Sequence, residues 1–195
     1  WDNSGTVDIP TGANVNMTGG TFNNLSGGVV NLNATDVNGT FYNFSGTSVV
    51  NNLLGGAINK TATGNTNINQ SGALTSFNNA GTVNVNAGTL TVNVDGTDSG
   101  SYALGANTLN FTAAHTFNSG IAFSGSGALG FSGSTKTFGA AHSFAAGGPV
   151  VQRASETAEI QVALGGPVER HAHPAHQVDH EGAMMTHVLA ERLVR

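Results

Sequence analysis

The chain has 195 residues and a net charge of -5, from Lys+Arg 6 against Asp+Glu 11. Charged residues make up 9%, against roughly 25% in an ordinary globular domain. Cysteine is absent, which excludes disulfides and thiolate metal sites. So acidic and Lys/Arg-poor a chain offers nucleic acid no basic surface, and no apolar run approaches the ~18 residues of a membrane-spanning helix.

Two blocks of unlike composition follow one another. Residues 1–148 hold Lys60 and Lys136, five Asp, all 10 Phe and every Asn, with no Glu and no Arg. Residues 149–195 hold four Arg, six acids and five of the seven His, with no Asn and no Phe. The change after Gly147-Gly148-Pro149 reads as a boundary between a repeat domain and a distinct tail, disordered or partly helical.

The first block repeats itself. Trp1-Asp2-Asn3-Ser4-Gly5-Thr6-Val7 returns as Phe77-Asn78-Asn79-Ala80-Gly81-Thr82-Val83. With insertions it returns at Phe22-Asn23-Asn24 and Phe41-Tyr42-Asn43, with a degenerate copy around Ile58-Asn59. The anchors predict a unit near 20 residues, with Trp1, Phe22, Phe41 and Phe77 in one column. Within each unit the period is 2. Val30-Asn31-Leu32-Asn33, Val83-Asn84-Val85-Asn86, Leu90-Thr91-Val92, Leu109-Asn110-Phe111 and Leu129-Gly130-Phe131 alternate apolar and polar, the pattern of half-buried strands. Ser-Gly, Ala-Gly and Gly-Gly steps between them supply turns. Short strands in a unit of this length predict an all-β fold, a parallel β-helix (β-solenoid). In it, each coil buries its inward face only against neighbouring coils, and Asn and Thr can stack in ladders.

The stretch from Phe77 to Val92, with Gly100–Phe111 and Gly125–Gly133, resembles the repeats of bacterial autotransporter passengers and filamentous-haemagglutinin-like adhesins. The resemblance spans roughly residues 1–146. It implies a right-handed β-helix, export, and a place outside the cell or on the bacterial outer membrane. The chain begins at Trp1 inside a repeat and so reads as a segment of a longer array.

Candidate chemistry is sparse. Asp95 and Asp98 are the sole close acidic pair and read as a polar loop between coils. Ala114-His115-Thr116-Phe117 returns as Ala141-His142-Ser143-Phe144, two strand starts with His at a corner. Thr61/Thr63, Thr89/Thr91 and Thr135/Thr137 form Thr-x-Thr pairs, out of phase with the repeat. In the tail, His171, His173, His176 and His180 have metal-ligand spacing but no His-Glu-x-x-His, and Pro174 interrupts any helix through them. They are weak metal candidates, and no cofactor is expected. Residues 180–194 could form an amphipathic cap, or the tail could be a frameshift product.

The expected function is structural: a rigid stalk or contact surface of a secreted or surface-displayed adhesin-like protein, without catalysis. Its partners would be neighbouring coils and host glycans or surface proteins. One alternative is a polysaccharide lyase or hydrolase whose catalytic residues lie outside this chain. A second is an ice-binding solenoid, which requires a flat in-phase threonine face.

Overall fold

A computed structural model describes residues 1–35, 40–68, 74 and 76–139, with the strands His142–Phe144, Val150–Arg153 and Ile160–Val162. The tail histidines His171, His173, His176 and His180, the 180–194 segment and the Gly147–Pro149 boundary lie outside the described residues. The described chain is all-β, a parallel β-solenoid of about 6 turns spaced about 23 residues apart. No helix among the described residues is long and apolar enough to cross a membrane.

The strands stack on three faces, which each coil from Phe41 onward visits in the same order. The first face stacks Asp2–Asn3, Val15–Asn24, Phe41–Asn52, Ser76–Asn79, Gly96–Asp98, His115–Phe117, Lys136–Phe138 and Ile160–Val162. Seven strands make the second face, from Thr6–Pro10 through Val29–Asn33, Ala57–Lys60, Thr82–Val85, Ser101–Ala103 and Ile121–Ser124 to His142–Phe144. The third face begins later, with Asn65–Asn67, and continues through Thr89–Val92, Thr108–Phe111 and Ala128–Phe131 to Val150–Arg153. All pairings are parallel; beyond residue 149, Val150 still pairs Ala128 and Ile160 still pairs Lys136.

Period 2 in the sequence becomes inward-outward alternation in the strands, so Val30, Leu32, Val83, Val85, Leu90, Val92, Leu109 and Phe111 are fully buried. Tyr102 lies on Phe123 at 5.4 Å and Phe117 on Phe138 at 4.6 Å, so aromatic columns fill the later coils.

The repeat anchors need one correction. Phe22 is in register with Val50, and Val50 with Phe77, whereas Phe41 pairs with Val15. The third copy of the unit is therefore Val50-Asn51-Asn52-Leu53-Leu54-Gly55-Gly56, not Phe41-Tyr42-Asn43. Ile58 belongs to the second face, between Val30 and Val83. Phe41 still packs on Phe22, at 5.1 Å, but from a different register position. The physical reason is an insertion. Phe41–Asn52 runs to 12 residues and opens with residues 41–43 paired on residues 15–17, so the column partners Asn23 and Asn51 are 28 apart. The next step, Asn51 to Asn78, is 27 and takes in Asn65–Asn67, where the third face begins. Later steps shorten to 19 residues, which brings the mean to about 23.

Candidate functional site

Adjacent Asn residues in a strand must point to opposite sides, so each Asn-Asn pair supplies one inward and one outward amide. The inward set, Asn3, Asn24, Asn52 and Asn79, forms a buried ladder. Asn3 Nδ2 donates to Asn24 Oδ1, Asn24 to Asn52 and Asn52 to Asn79, each at 2.8 Å. The same Nδ2 atoms reach the corner carbonyls of Val29, Ala57 and Thr82. Glycine at the corner makes room for this. A Cβ on Gly28 would press into the Asn24 amide, and one on Gly56 into the amides of Asn24 and Asn52. Two outward ladders run beside it: Asn23, Asn51 and Asn78 lead back to Asp2, and Asn31, Asn59 and Asn84 lead back to Asp8.

The inward ladder ends on an acid. Asp98 is in register with Asn79 and is fully buried at the end of Gly96–Asp98. This corrects the loop expected for the Asp95/Asp98 pair: Asp95 is exposed just ahead of the strand, and only Asp98 turns inward. Tyr102 donates its hydroxyl to Asp98 Oδ1 at 2.7 Å. His115 Nδ1 lies 2.6 Å from Asp98 Oδ2, and His115 Nε2 lies 2.8 Å from the Val94 carbonyl. That carbonyl only accepts, so Nε2 is the donor in this contact. The imidazole has space because its neighbour in the column is Gly96, where a Cβ would collide with the Phe77 carbonyl and crowd His115 Cε1. His142 is not stacked on His115. It pairs with Ile121 on the second face, whereas His115 pairs with Lys136 on the first.

Both lysines of the described chain also point inward. Lys60 donates to the carbonyls of Ala34 and Ala62, and Lys136 to those of Ser132 and Ser134 at 2.6 and 2.7 Å. Burial lowers the Lys136 ammonium to about 8, with the Asp95 charge acting the other way, and burial also lowers Lys60. Burial first, then the Asp98 charge and the hydrogen bond to it, hold the Tyr102 phenol well above its ordinary 10.0.

These shifts set an alkaline optimum. Between pH 8 and 10.5 the unfolded chain holds the Lys136 proton that the folded chain has lost, so stability rises with pH. Above pH 10 the unfolded Tyr102 ionises while the folded one keeps its proton, so stability falls. Melting temperature should therefore climb above pH 8, peak near pH 10 and then decline. Lys136→Met should flatten the rising limb and Tyr102→Phe the falling one. A steady fall from pH 8 onward would contradict this assignment.

The outward side of the first face carries a shallow depression lined by residues including Asn78, Asp95, Thr97, Thr116, Thr135 and Thr137. Of the Thr-x-Thr pairs, Thr135/Thr137 lies here and Thr89/Thr91 on the third face; Thr61/Thr63 follows the strand Ala57–Lys60. Among the described residues, no three His, Asp or Glu converge as metal ligands would. No family model, curated protein or solved structure matches the chain.

Proposed function

We propose that the chain is a non-catalytic structural segment, a rigid stalk and contact surface of a secreted or surface-displayed bacterial protein of the adhesin type. The observation that carries this reading is the inward ladder from Asn3 to Asp98, in which buried polar groups join one coil to the next. A chain built so is stiff along its axis and resists local opening. The Asp98–His115 pair fits the same reading, because both side chains are 0% exposed and are held by the Tyr102 hydroxyl and the Val94 carbonyl. The likeness of its repeats to those of secreted bacterial adhesins adds the location, and the Asn- and Thr-rich exterior adds the contact surface.

Proteolysis and adhesion test the two halves of the proposal. Residues 1–148 contain no Arg, so trypsin can cut there only at Lys60 and Lys136, both buried. Native digestion should leave residues 1–148 uncut at both sites. Beads coated with the chain should adhere to epithelial cells above an albumin-coated control. Rapid native cleavage at Lys60 or Lys136 would refute the rigid stalk, and absent adhesion would refute the contact surface. Turnover of a polysaccharide by the purified chain would refute the non-catalytic assignment.

A further inference from the structure

The open depression on the first face spans four coils, from Ser76 to Thr137, with a volume of about 480 Å³. Its centre is a threonine column. Thr97 pairs with Thr116, and Thr116 with Thr137, so three outward hydroxyls recur at one strand spacing, roughly 4.8 Å. Asn78 precedes them, its Oδ1 accepting from the Thr97 amide at 3.0 Å. Beside the column stands Asp95, exposed, with Oδ1 held by the Ala114 amide at 2.9 Å. Thr97 and Thr116 are exposed as well.

The lining selects its ligand by what it offers and what it lacks. Hydroxyls and a carboxylate donate to and accept from alcohol groups. Among the described residues, no aromatic side chain other than the buried His115 lines the depression, so a flat aromatic ligand has no exposed ring to stack on. Among the described residues no Lys or Arg lines it either, and Lys60 and Lys136 point into the core. A sulfated, phosphorylated or uronate chain would meet Asp95 without a compensating cation. The repeat of hydroxyls along the solenoid axis matches an elongated ligand better than a compact one.

We infer that this depression binds a neutral linear glycan lying across the coils, with Thr97, Thr116 and Thr137 as hydrogen-bonding rungs and Asp95 as the anchor. The inference deepens the contact-surface reading and rests on it. Rigidity supports the fit: the rungs are held on paired strands, so little order is lost on binding.

Titration of the full chain with cellohexaose, chitohexaose and a heparin hexasaccharide tests it. At least one neutral oligosaccharide should bind, and heparin should bind more weakly. The triple variant Thr97→Val, Thr116→Val, Thr137→Val keeps the β-branched shape and removes the hydroxyls. It should melt like the parent and lose at least about ten-fold in affinity. Thr91→Val, on the third face, should change nothing. Three results would overturn the inference: no neutral oligosaccharide binds, the triple variant binds as tightly as the parent, or heparin binds best. Thermal hysteresis lost in the triple variant, without glycan binding, would assign the array to ice and overturn it too. Cell adhesion read on the same proteins separates the two proposals. Adhesion that survives without oligosaccharide binding refutes only this site, whereas a parent chain that never adheres refutes the contact surface.

Discussion

Asp98→Ala is expected to lower the unfolding free energy by about 3–5 kcal/mol, the usual cost of removing one partner from a buried charged network. The carboxylate accepts from the Tyr102 hydroxyl at 2.7 Å and lies 2.6 Å from His115 Nδ1, and all three side chains are buried. Removing it leaves a phenol and an imidazole nitrogen without their protein partner in a core packed with Phe111, Phe117 and Phe123. Asp98→Asn keeps one acceptor oxygen for Tyr102 and should lose distinctly less. Tyr102→Phe, which removes a single donor, should cost about 1–2 kcal/mol. Chemical denaturation of the set gives the comparison. A loss below about 1 kcal/mol for Asp98→Ala would mean that the network is not stabilising and that the coil relaxes around the gap.

Asn52→Ala should cost about 2–4 kcal/mol, whereas Asn51→Ala, one residue away, should stay within about 1 kcal/mol. Asn52 sits in mid-ladder, accepting from Asn24 and donating to Asn79 Oδ1 and the Thr82 carbonyl. Its truncation strands the Asn79 oxygen inside the solenoid and opens a cavity at a coil interface. Asn51 makes equivalent amide contacts, to Asn23 and from Asn78, but on the outer side, where water substitutes. Asn52→Leu restores volume without restoring the bonds, so it should not rescue. Equal effects at positions 51 and 52 would show that the ladder bonds contribute by stacking alone and that burial is irrelevant to them.

These two predictions also mark how far the primary structure could be read. The alternation in Val83-Asn84-Val85 or Leu109-Asn110-Phe111 identifies strand, face and core side at once, because a strand's side-chain period is fixed by backbone geometry. Recurrence of the Phe/Trp-Asn-Asn anchor identifies stacking, since a short strand with one apolar face must bury it on a neighbour. That Asn can stack in ladders follows from composition; which Asn of each pair faces inward carries a signal as well. Two consecutive Asn, followed by glycine at the corner, occur at Asn23-Asn24, Asn51-Asn52 and Asn78-Asn79. In an extended chain one of each pair has to face inward. The Phe41 anchor failed for a related reason: an aromatic residue satisfies the pattern as well as Val50 does, and only register distinguishes them.

The buried site had no comparable signal. Asp98 and His115 are 17 residues apart, and although the Asp95/Asp98 pair and the repeated Ala-His-x-Phe segment mark each of them singly, nothing in either segment points to the other. What joins them is the summed length of one coil, together with the vacancy that Gly96 leaves beneath the imidazole. The threonine column arises in the same way: Thr97, Thr116 and Thr137 are unremarkable singly and become an array only when coils of 19 and 21 residues bring them into line. By itself, then, the sequence determined the class of fold, the inward apolar residues and the exclusions set by charge and cysteine, because these depend on local periodicity and composition. The tertiary structure decided which polar residues meet. Contacts between coils depend on the exact number of residues in every turn, and an added segment, such as residues 41–43 paired on residues 15–17, changes the sequence spacing at which two residues meet.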